Sequence, residues 1–204
     1  MRIILARHGQ TTANAEGRFQ GHSDYPLSAL GEIQAEKLAG RLAHYRPQRL
    51  YTSDLTRSME TARPAAKLLG LVPVPALVFR EYSWGLLEGL SWPEIQEQYP
   101  QLYLHLRRDL RSAPIPGQEP PPAFRRRLQQ GLEVLLDKNG LHTVALIGHG
   151  RYLNALLVEF LGLDFEGPWP FPFSSAAITV LEEKDGARRL LTFNEQCHLE
   201  ESDG

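Results

Sequence analysis

The chain alternates between short apolar runs and longer stretches in which apolar residues recur at helical spacing. Residues 2–6 form the first apolar run, and residues 143–147 form the most convincing one. Runs of this length that end in glycine or polar residues are typical of buried strands. Helical spacing predicts helices over residues 30–42, 57–69, 92–99, 102–110, 123–136 and 153–161. Strands that alternate with helices predict an α/β fold, a three-layer α/β/α sandwich with a mostly parallel central sheet.

Residues at the ends of these segments predict where the segments begin and end. Ser28 is placed to cap its helix, and either Ser53 or Asp54 is placed to cap the next one. Two prolines interrupt residues 72–79, so we expect a short edge strand there at best. Further strands are predicted over residues 49–52, 177–181 and 189–193, and the last two pair across a turn at residues 184–186.

Residues 82–122 are the least regular part of the sequence. Five prolines between residues 114 and 122 predict a stiff, extended linker. We interpret the whole segment as a lid-like insertion over the strand ends, and the alternative is a plain connecting subdomain. Its aromatic residues either face the organic part of a ligand or, as is commoner at helical spacing, belong to the core. They are Tyr82, Trp84, Trp92, Tyr99 and Tyr103.

Composition narrows the class of protein. A length of 204 residues suits a single domain over residues 1–204, and 42% apolar residues with 23% charged residues is ordinary for a globular protein. The net charge of −2 gives no strong field that would attract nucleic acid or a membrane surface. Cys197 is the only cysteine, so no intrachain disulfide can form and a reducing cytoplasm is the expected compartment. No stretch has the length and apolarity needed to cross a membrane.

Arginine residues are clustered although the total charge is balanced. One cluster contains residues 107–108 and Arg111, and the other contains residues 125–127. We interpret most of these side chains as solvated helix faces. The alternative is a basic approach that attracts phosphate groups toward a pocket.

Charged and imidazole side chains follow the two best predicted strands. Arg7 and His8 come directly after the first apolar run, and His149 follows the strand at residues 143–147. Ligands bind at the carboxyl ends of strands in open α/β sheets. The other polar side chains expected at these ends are Asn14, Arg57 and Glu81. Arginine forks match phosphate oxygens, and a helix that starts after His149 would point free N–H groups at the same anion. The set predicts a pocket for a dianionic ligand such as a phosphate monoester.

Two kinds of chemistry compete at such a site. A metal ion needs three or four ligands that include carboxylates or thiolates, whereas these histidines lie among arginines, which repel cations. Nucleophilic catalysis needs a neutral imidazole whose second nitrogen is held by a carbonyl group, and it forms a phosphohistidine. The departing alcohol then needs a proton, which a carboxylic acid such as Glu81 supplies. Taken alone, Glu81 would more simply be a solvated loop residue, but the group as a whole favours nucleophilic catalysis.

Four motifs carry this chemistry in a specific order and spacing. They are Arg7-His8-Gly9 with Asn14, Ser53-Asp54-Leu55 with Arg57, Glu81 with Glu88-Gly89, and Gly148-His149-Gly150. Together they resemble the histidine phosphatase superfamily, which contains cofactor-dependent phosphoglycerate mutases and fructose-2,6-bisphosphatases. Further family blocks are similar to Phe19-Gln20-Gly21 and to Asn194 with His198-Leu199. The resemblance covers most of the chain and implies a phosphoglycerate mutase-like fold.

The resemblance also implies a role for each of these residues. His8 is the nucleophile that becomes phosphorylated, and Glu81 donates a proton to the leaving group and later activates water. Arg7, Arg57 and His149 bind the phosphoryl group and stabilise the transition state. The remaining implied phosphate-pocket residues are Asn14, Gln20 and Gly150. No metal and no other cofactor is implied.

Three positions depart from the family pattern. Gln10 replaces a glutamate that usually follows the catalytic tripeptide, so one local charge is missing. Residues 117–120 stand where members often have Gly-Gly-Glu-Ser, and the serine cap of the next helix is lost. We expect Pro121 and Pro122 to replace that cap. Arg151 follows the second histidine motif where a small residue is common, and it is either an extra anion contact or a solvent-facing residue.

The sequence favours a phosphatase whose partner is a small phosphorylated metabolite. His22 and Glu88 stand where the mutase branch typically has tryptophan and glutamine, and the chain is short for that branch. The alternatives are a 2,3-bisphosphoglycerate-dependent phosphoglycerate mutase and a catalytically inactive phosphate- or phosphoprotein-binding module. Residues 169–173 are aromatic and bounded by proline, which makes them a candidate homodimer contact, although a buried loop is equally consistent.

Overall fold

The computed structural model describes residues 1–109, 114–137, 142–167 and 169–200 of the chain. The strands in these ranges are β1 (Arg2–Arg7), β2 (Arg49–Thr52), β3 (Val74–Pro75), β4 (Thr143–Gly148), β5 (Ile178–Lys184) and β6 (Ala187–Glu195). The α-helices are α1 (Thr12–Ala15), α2 (Ala29–Tyr45), α3 (Thr56–Leu69), α4 (Trp92–Gln98), α5 (Pro100–Leu106), α6 (Pro121–Leu136) and α7 (Gly150–Leu161).

The strands form one mixed sheet in the order β3-β2-β4-β1-β5-β6. The first four of these strands run parallel, and β5 and β6 are antiparallel to their neighbours. The mostly parallel sheet and the late hairpin are therefore confirmed. β1 and β4 lie side by side in a register that pairs Arg7 with Gly148. Because both strands end at the same edge of the sheet, His8 and His149 leave it next to each other.

The two faces of the sheet bury different helices. Ile3 and Leu5 of β1 belong to one apolar cluster, which includes residues of α6 and α7. Ile4 and Ala6 point to the opposite face and join a second cluster with residues of α2 and α3. Successive strand residues face opposite sides, so a strand covered on both faces is apolar throughout. This arrangement is the predicted three-layer sandwich.

The helix caps agree with the sequence at one helix and differ at another. Ser28 caps α2 as predicted, since its Oγ accepts from the N–H of Gly31 at 3.1 Å. The predicted cap of α3 is wrong, because its N-cap residue is Leu55, whose side chain makes no capping bond. The N–H of Thr56, the first residue of the helix, donates instead to Oδ1 of Asp24 at 2.9 Å. Asp54 instead pairs with Arg80, whose Nε donates to Oδ1 at 2.7 Å. Ser53 instead lies 2.7 Å from Nε2 of His149 through its hydroxyl oxygen.

The segment 82–122 contains two short helices and a linker that is docked against a loop. α5 ends at Leu106, earlier than predicted, and Arg111 and residue 110 lie outside the described ranges. The linker is more folded than predicted, because Pro116 accepts from the N–H of Leu86 at 2.8 Å and Glu119 donates its N–H to Ser83 at 3.0 Å. α6 begins at Pro121 rather than residue 123, with proline in its first turn as expected for a missing side-chain cap.

The aromatic residues of this part of the chain belong mainly to the core. Tyr82 and Trp84 are buried in the cluster that includes α6 and α7, and Trp92 and Tyr103 pack against it. In the loop at residues 169–173, Phe173 is buried and two further aromatic side chains pack against the same cluster. The loop is therefore partly buried against the core, and a homodimer stays a prediction. No helix within the described residues is long and apolar enough to span a membrane.

Candidate active site

His8 lies buried at the carboxyl end of β1, close to the start of α7. One nitrogen of its ring, Nδ1, lies 2.7 Å from the carbonyl oxygen of Gly9. A carbonyl accepts but cannot donate, so the ring proton sits on Nδ1 and the lone pair of Nε2 is available. Burial and the positive charges of Arg57 and Arg7 hold the pKa of His8 well below its ordinary value. The imidazole is therefore neutral near pH 7, as a nucleophile must be.

His149 lies beside His8 and uses both ring nitrogens inside the protein. The two ring centroids are 5.2 Å apart. Nε–H of Arg57 donates to Nδ1 of His149 at 3.2 Å, so the ring proton sits on Nε2, which donates to Oγ of Ser53 at 2.7 Å. Burial, Arg57 and His8 hold the pKa of His149 well below its ordinary value. In this arrangement His149 orients Arg57, and its direct contact with a phosphoryl group stays a prediction.

Two arginines, Arg57 buried and Arg7 half-buried, bring positive charge to the floor of the site. Arg57 is 1% exposed, and its Nη1 and Nη2 donate to the carbonyls of Ser23 and Gly21 at 2.9 and 2.7 Å. Arg7 donates from Nη1 to the carbonyl of Phe173 at 2.8 Å, while its buried Nε has no hydrogen-bond partner in the described part of the chain. Burial lowers the pKa of both guanidinium groups, yet arginine stays charged in proteins. Both arginines line the cavity described below, so their positive charge suits an anionic ligand.

The carboxylate of Glu81 lies at the N-terminus of α7. Its Oε1 accepts from the N–H groups of Tyr82 and Tyr152, both at 2.8 Å, and its Oε2 accepts from the N–H of Arg151 at 3.0 Å. The sequence predicted free N–H groups in this helix turn for a bound anion. For Arg151 and Tyr152 that prediction is wrong, because a carboxylate of the protein itself already occupies them. Glu81 is thus held rigidly at the edge of the site, not solvated in a loop.

A cavity of about 260 Å³ opens onto these groups. Six of the residues predicted for the site line it together: Arg7, His8, Asn14, Gln20, Arg57 and Glu81. Aromatic walls come from Phe19, Trp84 and Trp92, and Arg18 adds a further cation. His149 and Gly150 do not line this cavity. Within the described ranges, no three or more His, Cys, Asp or Glu side chains are grouped so that they could hold a metal ion.

Asn14 and Gln20 are linked through Thr11. The N–H of Thr11 donates to Oδ1 of Asn14 at 3.1 Å, and its hydroxyl lies 2.9 Å from Oε1 of Gln20. Because these contacts use the amide oxygens of both side chains, their NH₂ groups are the donors available to a bound anion. The geometry therefore suits the implied role of both residues in a phosphate pocket.

Gly150 and Arg151 begin α7, behind the cavity. A side chain at position 150 would place its Cβ 3.3 Å from Nε of Arg7, so glycine allows the helix to approach that guanidinium group closely. The guanidinium carbon of Arg151 lies 4.6 Å and 4.8 Å from the ring centroids of Trp169 and Trp84. Arg151 lines a second cavity of about 780 Å³, so the solvent-facing interpretation does not fit and an anion contact stays a prediction.

Gln10, the departure from the family pattern nearest to His8, faces away from the cavity. Its Oε1 accepts from the hydroxyl of Ser28 at 2.8 Å, and its main-chain N–H donates to Oε1 of Gln34 at 2.8 Å. The side chain therefore belongs to the contact between the loop that carries His8 and the N-terminus of α2.

Several residues that the sequence did not single out hold the site in place. Arg127, which the sequence offered only as part of a basic cluster, donates to the carbonyl of Glu81 at 3.1 Å. It also pairs with Glu119 at 2.6 Å. The sequence marked His22 only as a difference from the mutase branch. In the structure its Nε2 lies 2.9 Å from the same Glu81 carbonyl. These contacts join segments far apart in the chain, and no local sequence signal marks them.

The class of protein follows from a match to a family model as well as from this geometry. The model of the histidine phosphatase superfamily (branch 1) matches residues 3–196. The chain therefore belongs to this superfamily, as its motifs predicted, and its fold is that of the phosphoglycerate mutase-like histidine phosphatases.

Similar proteins are named as phosphatases or as a phosphoglycerate mutase. Metal-independent phosphoserine phosphatase of Arabidopsis thaliana is 31% identical over 202 residues, which cover 97% of this chain and 82% of the relative. A Yersinia enterocolitica protein named probable phosphoglycerate mutase GpmB is 32% identical over 163 residues, 80% of this chain and 76% of the relative. The structure of a mycobacterial glucosyl-3-phosphoglycerate phosphatase matches with a TM-score of 0.84 and 30% identity, covering 96% and 99% of the two chains. Relatives named phosphatases confirm the predicted enzyme class, a phosphoric monoester hydrolase of the histidine phosphatase family.

Proposed function

We propose that the protein hydrolyses a small phosphorylated metabolite through a phosphohistidine intermediate on His8. The observation that carries the proposal is the contact between Nδ1 of His8 and the carbonyl of Gly9 at 2.7 Å. It favours the neutral tautomer whose Nε2 is free to attack, inside a cavity lined by three arginines.

The first step transfers the phosphoryl group to the protein. The lone pair of Nε2 of His8 attacks phosphorus, and the bond between phosphorus and the ester oxygen breaks with its electrons going to that oxygen. Arg7 and Arg57 bind the phosphoryl oxygens and neutralise their charge, as the charge-rich transition state requires.

Glu81 supplies the proton that the departing oxygen needs. Its Oε2 accepts only the Arg151 N–H among the hydrogen bonds of the described residues, whereas Oε1 accepts two. We therefore assign the transferred proton to Oε2, which keeps a lone pair for it. In the second step the Glu81 carboxylate takes a proton from water, whose oxygen attacks phosphorus. The bond between phosphorus and His8 breaks, its electrons return to Nε2, and orthophosphate leaves.

The size of the cavity favours a small substrate. A space of about 260 Å³ holds a phosphoryl group and a short organic part, and the segment at residues 82–122 supplies Trp84 and Trp92 as its walls. We propose that this segment covers the bound substrate and that residues 1–204 act as a single domain. Serine phosphate and glucosyl-3-phosphoglycerate, the substrates in the names of two relatives, are the first compounds to test.

Hydrolysis of a panel of phosphate monoesters by the wild-type protein and by His8→Ala tests the proposal. The panel contains these two compounds, sugar phosphates and 4-nitrophenyl phosphate. We expect turnover by the wild type and a loss of about 10³-fold or more in kcat for His8→Ala, because removing a nucleophile removes its whole pathway. His44→Ala, at an exposed histidine on α2, is the matched control and should keep full activity. Turnover by His8→Ala at the wild-type rate would overturn the proposal.

Two outcomes would favour the alternatives. The protein would be a mutase, the activity for which its Yersinia relative is named, if it converts 3-phosphoglycerate to 2-phosphoglycerate. This activity would have to depend on 2,3-bisphosphoglycerate and be accompanied by negligible ester hydrolysis. Absence of turnover across the panel, combined with phosphate binding that survives in His8→Ala, would instead indicate a binding module.

A further inference from the structure

Arg127 of α6 makes an unusually complete set of contacts around the loop that ends at Glu81. Nη1 donates to the carbonyls of Val78 and Arg80 at 3.1 and 2.6 Å, and Nη2 donates to the carbonyl of Glu81 at 3.1 Å. The remaining donors go to Glu119, from Nε at 2.8 Å and from Nη2 at 2.6 Å. A guanidinium group has five N–H donors, and all of them are used here.

Glu119 binds Arg127 and also contacts the same loop through its main chain. The Arg127 and Glu119 side chains are 16% and 14% exposed, so their two parallel hydrogen bonds are largely shielded from water. The guanidinium carbon of Arg127 also lies 5.4 Å from the ring of Tyr152, whose N–H holds the Glu81 carboxylate. Main-chain N–H of Glu119 donates to Ser83 at 3.0 Å, on the far side of Glu81.

Glu81 itself has no regular secondary structure to fix its main chain. Residues 80–84 lie outside every strand and helix of the described chain. The carboxylate is fixed by N–H groups of α7, and the Glu81 carbonyl is fixed by Arg127 and by His22 at 2.9 Å. Without the guanidinium group, three backbone carbonyls that converge on one point would lose their common donor.

We propose that Arg127 and Glu119 form a positioning pair that holds Glu81 in register with the leaving oxygen of the substrate. This inference rests on the proposed role of Glu81 as proton donor. Arg127 does not line the cavity that contains His8. It acts on catalysis through the loop, and a displacement of about 1 Å at such a donor can cost on the order of 10²-fold in rate.

A series of substituted phenyl phosphates tests the proposal, because their leaving groups differ in pKa while their size stays similar. The quantity measured is the slope of log(kcat/KM) against the pKa of the departing phenol. A phenol of low pKa, such as 4-nitrophenol, departs without a proton, whereas phenol itself needs one. Impaired proton donation therefore makes the slope steeper, while a general loss of fold or binding lowers all substrates equally.

We expect Arg127→Gln to steepen this slope toward that of Glu81→Gln. Phenyl phosphate should lose roughly tenfold, a part of the 10²–10⁴-fold that a general acid typically contributes, and 4-nitrophenyl phosphate should lose little. The comparison uses kcat/KM, which reports the transfer of the phosphoryl group to His8 and not the later attack of water that Glu81 also assists. Arg127→Lys should not rescue the slope, because an ammonium group cannot reproduce the guanidinium fork. Arg126→Gln, at the exposed neighbouring arginine, is the matched control and should behave as wild type.

The outcomes separate this inference from the proposed function. If Glu81→Gln steepens the slope and Arg127→Gln does not, or if Arg127→Gln lowers all substrates equally, the positioning role is wrong while the proton donor stands. If Glu81→Gln leaves the slope unchanged, the proton-donor role is wrong and the positioning role with it. Glu119→Gln keeps the shape of its side chain and should show the same steepening to a smaller extent. It therefore tests the pair even if Arg127→Gln does not fold.

Discussion

Single hydrogen bonds decide the chemical state of each histidine at the site. The Gly9 carbonyl places the proton of His8 on Nδ1, and the Arg57 guanidinium group places that of His149 on Nε2. Both rings are buried and neutral, yet only His8 has a nitrogen free for chemistry. The difference between the proposed nucleophile His8 and the neighbouring His149 thus comes from which groups each ring contacts, not from residue type.

The buried neutral histidines make stability depend on pH. The folded-state pKa values of His8 and His149 lie below the unfolded value of about 6.5, so below that pH the unfolded chain binds more protons. Stability should therefore fall as the pH drops below about 6.5, by about 1.4 kcal/mol per pH unit for each histidine. Urea unfolding between pH 5 and 7.5 should show a slope smaller by about this amount in His149→Asn than in wild type. Equal slopes would contradict the assignment of His149 as buried and neutral.

The departure at Gln10 should have little catalytic effect. A glutamate at this position can still accept from the Ser28 hydroxyl, and its charge would face the N-terminus of α2. We expect Gln10→Glu to leave kcat/KM and its pH profile unchanged and to stabilise the fold by at most about 1 kcal/mol. A clear shift in the pH profile of kcat/KM would show instead that position 10 influences the site.

At the scale of elements, the close approach of α2 to the catalytic loop depends on glycine. A Cβ at Gly31 would lie 1.9 Å from the carbonyl oxygen of Gln10, and a Cβ at Gly9 would lie 2.5 Å from that of Gly31. Backbone therefore packs directly against backbone where the loop that carries His8 meets the first turn of the helix. This contact fixes the loop that carries His8 against a rigid element.

Two glycines of α2 should respond in opposite directions to the same substitution. Gly31→Ala forces backbone atoms apart and should destabilise the fold by about 1–3 kcal/mol or more, with lower kcat because the His8 loop shifts. Gly40→Ala meets nothing within 4 Å and should stabilise the protein by up to about 1 kcal/mol through helix propensity. Urea unfolding and phosphatase assays of both variants check this. A tolerated Gly31→Ala with normal activity would mean that the loop is not fixed by α2.

At the scale of the whole molecule, the parallel pairing of β1 with β4 creates the site. The register Arg7↔Gly148 brings two motifs that are more than a hundred residues apart in the chain to one edge of the sheet. α7 then starts at that edge and holds Glu81, which arrives from a third segment. One layer of helices is packed on each face, so the site lies where the strand ends leave the covered part of the sheet.

The sequence predicts the layers, the sheet and most of the residues that line the cavity, because these follow from local periodicity and from motifs at strand ends. It does not predict the partners of those residues. Serine is a residue type that often caps helices, but the Ser53 hydroxyl forms a buried hydrogen bond with His149 instead. Arg127 is an ordinary helical arginine by sequence, and only the folded chain brings Glu119 and the Glu81 carbonyl to it. Contacts between distant segments are set by packing, which no local pattern contains.

The most direct test of the proposed phosphohistidine mechanism is the position of the phosphoryl group on the protein during turnover. Wild-type protein quenched in alkali during hydrolysis of 4-nitrophenyl phosphate should carry a phosphohistidine, which mass spectrometry of peptides locates and ³¹P NMR assigns to one ring nitrogen. We expect phosphate on Nε2 of His8, because Nδ1 is bonded to the Gly9 carbonyl. Phosphate on Nδ1, on His149, or on no histidine during active turnover would contradict it.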